Sequence, residues 1–259
     1  MSEDRFDKGS NVVGIKVDFD NPPKNNEMWI NDDGTTSETA PSSPVAEVQG
    51  NMFSPFGPPV YHGGIRPDFL DHVTDCIEQR RGSNDHDMSG MLAGRVDEQI
   101  LIEDLVSDEC KDHILSHVMT VIDNCSLAIP REHLEINGLW VNISNNAEFN
   151  PIHSHDGLFS FVFYTKNTVK QADAIDNKFD SDTTPPNGGV YNNGAVQPLA
   201  GHIELHYGET QFLNWSTFSH FPLQGDLLVF PSWLRHSVYP FYCGGERISV
   251  AGNIRFKQQ

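Results

Sequence analysis

At 259 residues the chain is long enough for one domain with a sizeable core plus a tail. Its 36 Asp and Glu against 17 Lys and Arg give a formal net charge of −19, which repels phosphate backbones and anionic lipid and argues against nucleic-acid and membrane partners. The N-terminus lacks a signal-peptide pattern, no window approaches about 18 consecutive apolar residues, and Cys76, Cys110, Cys125 and Cys243 form no C-x-x-C pair, so the chain reads as a soluble, cytoplasmic protein with free thiols.

Residues 1–55 are rich in Asp, Asn, Ser, Pro and Gly and have little to bury, so they are expected to be an acidic, flexible segment ahead of one domain over 56–259. Within them Val12 to Phe19 alternates well enough for one short strand. Apolar residues at 69, 70, 73, 76 and 77 predict a helix that starts at Pro67 or Asp68 and stops at Gly82. His72 reads there as a surface or boundary residue, not a ligand. After a polar loop, Ser107 is placed to cap a second helix whose apolar face is Cys110, Ile114, Leu115, Val118, Val121 and Ile122. His113 and His117 lie four apart on it, a spacing that can bind metal, but no glutamate or third ligand accompanies them.

From Leu139 the pattern turns to β. Strands are expected at Leu139–Ser144, around the histidine motif, and at Phe159–Tyr164, His202–Tyr207, Phe218–Leu223, Asp226–Phe230, His236–Phe241 and Arg247–Phe256. Many short strands indicate a sandwich or barrel, with the two helices as supports. The segment 167–199 has no period and reads as a lid or insert. Gly63-Gly64 and Gly244-Gly245 read as turn material, and there is no repeat or nucleotide-binding glycine pattern.

Chemistry concentrates in Asn150-Pro151-Ile152-His153-Ser154-His155-Asp156-Gly157. Histidines two apart on a strand share a face, so His153 and His155 can reach one ion, and an adjacent strand can bring His236 beside them. Three neutral imidazoles suit a divalent metal with positions left open. Asp156 points to the opposite side of a regular strand and is the alternative to His155 if Gly157 turns it inward. On the last strand Arg247, Ser249 and Ala251 share a face; turned inward, the first two offer a charged fork and a hydroxyl suited to a carboxylate. Ile248 and Val250 compete for that interior.

The series H-x-H, then a Ser-and-aromatic strand ending in Tyr164, then Gly-Asp-Leu-Leu-Val-Phe-Pro-Ser-Trp-Leu-x-His, then Glu-Arg-Ile-Ser-x-x-x-Asn resembles the 2-oxoglutarate- and Fe(II)-dependent oxygenases. The likeness is to a phage- and bacterial-type branch distantly similar to prolyl 4-hydroxylases, and covers about Trp140 to Asn253; a phage source would make the compartment the host cytoplasm. It implies a mainly β, double-stranded β-helix (jelly-roll) fold. It implies iron held by His153, His155 and His236, with His155 standing where the family usually has an acid. It further implies 2-oxoglutarate gripped by Arg247 and Ser249, with Trp140, Asn142 and Tyr164 as cavity residues. The activity implied is hydroxylation of a peptide side chain or small molecule by O₂, with release of succinate and CO₂. Two other readings stay open: a cupin-like metal-dependent dioxygenase or isomerase without 2-oxoglutarate, and a jelly-roll binding or structural module without catalysis. Oligomeric state is left open by the sequence.

Overall fold

The computed structural model describes residues 48–83, 87–88, 94–96, 98–170 and 199–258, together with the backbone of two short strands nearer the N-terminus. Those strands, β1 (Trp29–Ile30) and β2 (Thr36–Ser37), pair antiparallel within a unit spanning Met1–Val45. Everything that follows belongs to the second unit, Ala46–Gln259. The strand expected at Val12 to Phe19, and most of the 167–199 segment, lie outside the described residues.

Seven strands form one antiparallel sheet: β3 (Gly50–Phe53), β4 (Val60–Gly64), β5 (Glu98–Leu101), β6 (Leu134–Ser144), β8 (Phe159–Asn167), β11 (Asp226–Pro231) and β13 (Arg247–Phe256). Their order is β3-β4-β11-β8-β13-β6-β5. A smaller sheet, ordered β10-β9-β12-β7, is made of β7 (Asn150–His153), β9 (Ile203–His206), β10 (Thr217–His220) and β12 (Arg235–Val238). Residues from both sheets meet in one core, with Val162, Tyr164, Leu228 and Phe230 against Ile203, Leu205 and Leu234. This is the sandwich expected from the strand pattern, and the mainly β, double-stranded β-helix architecture that the resemblance implies.

Helices α1 (Pro67–Arg80) and α2 (Asp108–Asn124) cover the outer face of the larger sheet. There Val73, Ile77, Ile114, Val118 and Ile122 pack with Phe161, Phe163, Leu227, Val229, Ile248 and Val250. The larger sheet is therefore buried on both faces. Its central strands read as continuous apolar runs for that reason, and parity alone leaves the inward side of β13 open. α1 begins with proline in its first turn, where the missing N–H costs nothing. Arg80 in its last turn donates to the Leu101 carbonyl at 2.6 Å and pairs with Asp104, fixing the helix to the end of β5. In α2 the Ser107 hydroxyl accepts from the Cys110 N–H at 3.3 Å, the cap expected from the sequence.

Three strands escape the sequence pattern. β3, β4 and β5 are short, and β4 ends in the Gly63-Gly64 pair expected to be a turn. Those glycines are strand residues for a packing reason. A Cβ on Gly63 would stand 2.7 Å from the Tyr61 ring, and one on Gly50, its partner in β3, only 2.2 Å. The fully buried Tyr61 ring lies across the pair and occupies the space that side chains would take. The four cysteines are free thiols, as expected. No helix among the described residues is long and apolar enough to cross a membrane.

Candidate active site

Residues His153, on the last position of β7, and His236, on β12, are direct cross-strand partners. Their rings lie 4.2 Å apart, centroid to centroid. His155 follows two residues after the strand end, where its N–H donates to the Ser232 carbonyl at 2.9 Å and brings its ring 5.0 Å from His153 and 5.2 Å from His236. One ring nitrogen from each of the three lies within 4.8 Å of the others. Asp156 is exposed and takes no part in this cluster. The strand stops at His153, so it is the turn held by the Ser232 carbonyl, and not strand alternation, that sets His155 beside the other two rings.

The tautomers suit a metal. Nδ1 of His153 lies 2.7 Å from the Pro151 carbonyl and Nδ1 of His236 lies 3.1 Å from the Leu234 carbonyl. Because a carbonyl only accepts, both Nδ1 atoms carry the hydrogen and each Nε2 presents its lone pair. Burial, with a smaller contribution from neighbouring His153, lowers His155 to about 4 and His236 to about 3. Both rings are neutral near pH 7, as a ligand must be. Phe230 stands edge-on to His236 at 5.0 Å and Trp140 tilts over His155 at 5.7 Å, which restricts both rings.

The cluster opens into a cavity of about 460 Å³. His153, His155, His236, Arg247, Ser249, Asn142, Trp140 and Tyr164 all border it. The larger sheet supplies the last five: Ser249 pairs with Asn142 of β6 and with Tyr164 of β8, and Ala251 pairs with Trp140. Arg247 is 2% exposed. Its guanidinium donates to the Gly201 carbonyl at 2.7 Å and to the Ser144 hydroxyl at 3.5 Å, and it forms no ion pair with a carboxylate among the described residues. Burial draws it below its usual pKa, with Tyr164 and Glu148 opposing, yet a guanidinium stays charged. A buried cation at the edge of the cavity, hydrogen-bonded only to a carbonyl and a hydroxyl, is suited to an incoming carboxylate.

Two cavity residues carry no sequence signal. Gln99 of β5 donates through Nε2 to the Asn142 side chain at 2.7 Å and so orients it. Asn150 lies 3.4 Å from Nε2 of His153, on the metal-facing side of that ring. Gln99 is hidden because β5 has no alternation long enough to detect. Asn150 opens the histidine stretch, but its polarity reads equally as turn chemistry. His113 and His117 belong elsewhere: they are buried on α2 itself, with Nδ1 of His117 2.7 Å from the Tyr61 hydroxyl. His72 is a boundary residue whose Nε2 accepts from the Ser107 N–H at 3.0 Å.

Two facing antiparallel sheets, with three imidazoles and a guanidinium around one cavity, define a jelly-roll protein with a candidate metal site. Residues 138–253 match the family model described as "Putative 2OG-Fe(II) oxygenase". The match covers 116 of the 259 residues, and over that stretch the chain is similar to the 2-oxoglutarate/Fe(II)-dependent oxygenases. The imidazole donors fit that ion and the unpaired guanidinium fits the dicarboxylate. Among solved structures, a prolyl-4-hydroxylase from Pseudomonas putida is 13% identical at a TM-score of 0.48, covering 83% of this chain and 96% of its own. The viral collagen prolyl hydroxylase of Paramecium Bursaria Chlorella virus-1, solved with 2OG, is 12% identical at 0.46, covering 76% and 96%. A Trichoplax adhaerens prolyl hydroxylase with a hypoxia inducible factor peptide is 14% identical at 0.44, covering 79% and 83%. No curated protein sequence matches the chain.

Proposed function

We propose that the protein hydroxylates a peptide side chain or small molecule, with His153, His155 and His236 holding the iron and Arg247 with Ser249 binding the far carboxylate of 2-oxoglutarate. The observation that carries this reading is the convergence of three imidazoles and an unpaired, buried guanidinium on one cavity. When bound, iron supplies the oxidation of 2-oxoglutarate by O₂ to succinate and CO₂ and delivers one oxygen atom to the substrate as hydroxyl. The chain's part is positioning. The Pro151 and Leu234 carbonyls fix two imidazoles with Nε2 forward, Gln99 holds the Asn142 amide, and apolar walls from Val162, Phe230 and Ile203 keep bulk water out.

A peptide is the favoured substrate form because exposed aromatic side chains flank the histidines. Trp233, 54% exposed, sits between Ser232 and Leu234, whose carbonyls contact His155 and His236; Tyr207 lies 5.9 Å from it. Exposed aromatics beside a cavity serve recognition of an extended partner better than they serve solubility.

The test is anaerobic titration with Fe(II) and 2-oxoglutarate, read by the visible charge-transfer band of the chelate, followed by succinate formation in air. A band that fails to develop, with no 2-oxoglutarate consumed, overturns the proposal and favours the cupin-like chemistry. Iron content separates the ligand assignments: His155→Ala is expected to lose the metal and Asp156→Ala to keep it, and the reverse pattern would return Asp156 to the ligand set.

A further inference from the structure

A second constellation of metal-ligating side chains lies outside the cavity and uses none of its residues. His62 on β4, His220 on β10 and Asp226 at the start of β11 bring one ligand atom each within 4.8 Å of the others. Nε2 of His62 is 3.3 Å from one oxygen of Asp226, and Nε2 of His220 is 2.9 Å from the other. The two rings are edge to face at 5.0 Å. For bonds of about 2.0–2.1 Å, tetrahedral coordination places neighbouring ligand atoms roughly 3.3 Å apart. The two nitrogen–oxygen distances, each to a different oxygen of Asp226, are close to that edge, and the three ligand atoms lie within 4.8 Å of one another.

We propose that His62, His220 and Asp226 form a second, structural metal site for a borderline divalent ion of the zinc class. Two imidazoles and one carboxylate match the donor preference of such an ion, and the fourth position is left to water. The carboxylate is pre-set: the Leu223 N–H donates to it at 2.8 Å, the supporting hydrogen bond that orients a ligand. All three side chains are partly exposed, so an ion has a route in. The location gives the site a purpose. β10 is an edge strand of the smaller sheet, whereas β4 and β11 are neighbours in the larger one. An ion held by all three would fasten that edge to the opposite sheet, at the end of β11 remote from Ser232 and the first histidine cluster.

A hydrogen-bonded cluster of the same residues is the competing account, and metal titration distinguishes the two. The full-length chain carrying His153→Ala and His236→Ala, stripped with chelator, is titrated with Zn(II) by calorimetry and with Co(II) by visible absorption. One equivalent is expected to bind, with the cobalt spectrum of a low-coordinate site and a rise in Tm. Adding His62→Gln or Asp226→Asn should weaken binding at least about tenfold and remove the Tm rise, while circular dichroism without metal stays unchanged. If either of these disturbs the fold, His220→Gln in the same background gives the same comparison. The proposal fails if the double variant binds no stoichiometric metal, or if its binding survives loss of these side chains.

Discussion

Arg247 has a positive charge enclosed by the jelly roll, with only a carbonyl and a hydroxyl in hydrogen-bond contact. Replacing it with Gln keeps most of the volume and removes the charge. Loss of one partner from a buried charged pair costs about 2–5 kcal/mol, so Arg247→Gln is expected to raise the KM for 2-oxoglutarate on the order of 100-fold while iron content stays unchanged. His117 makes a different prediction. Burial, with the nearby His113 adding to it, lowers its pKa from 6.5 to about 3. Between those values the unfolded chain binds a proton that the folded chain refuses, so stability is full above pH 6.5 and falls as pH drops toward 3. The slope from this one group is at most about 1.4 kcal/mol per pH unit. Denaturant midpoints at pH 7 and 4.5 are expected to lie closer together in His117→Gln than in the parent. Among single residues the first histidine cluster is legible because two of its members stand two apart in one short stretch of sequence. His62, His220 and Asp226 are not, since separate segments contribute one each.

At the level of elements, the clearest sequence signals are those with a complete local cause. α2 has its cap, its apolar stripe and its length in one uninterrupted stretch, and β13 runs over the expected Arg247–Phe256. Ser107→Ala removes the hydroxyl that accepts from Cys110 and is expected to lower stability by about 1 kcal/mol, measured by chemical denaturation. β3 and β4 lack such a cause: they are short, and the glycines that pair between them face the Tyr61 ring. Gly50→Ala would push a methyl into Tyr61 and strain its hydrogen bond to His117. A destabilisation of about 1–3 kcal/mol is expected from such overpacking, and Gly63→Ala should act in the same direction. The inward face of β13 is decided only by the helices: once Ile248 and Val250 are committed to them, Arg247 and Ser249 are left for the cavity.

For the whole molecule, the division of labour between the sheets has a consequence for ligand response. The imidazoles come from the smaller sheet and the turn beside it, whereas Arg247, Ser249, Asn142 and Tyr164 come from the larger. A dicarboxylate that chelates the ion at one end and reaches Arg247 at the other is therefore a strut between the two layers of the sandwich. Either component alone loads one layer; only together do they brace both. Thermal protection by metal plus 2-oxoglutarate should then exceed the sum of the separate shifts, and succinate, too short to hold both ends, should forfeit most of that excess.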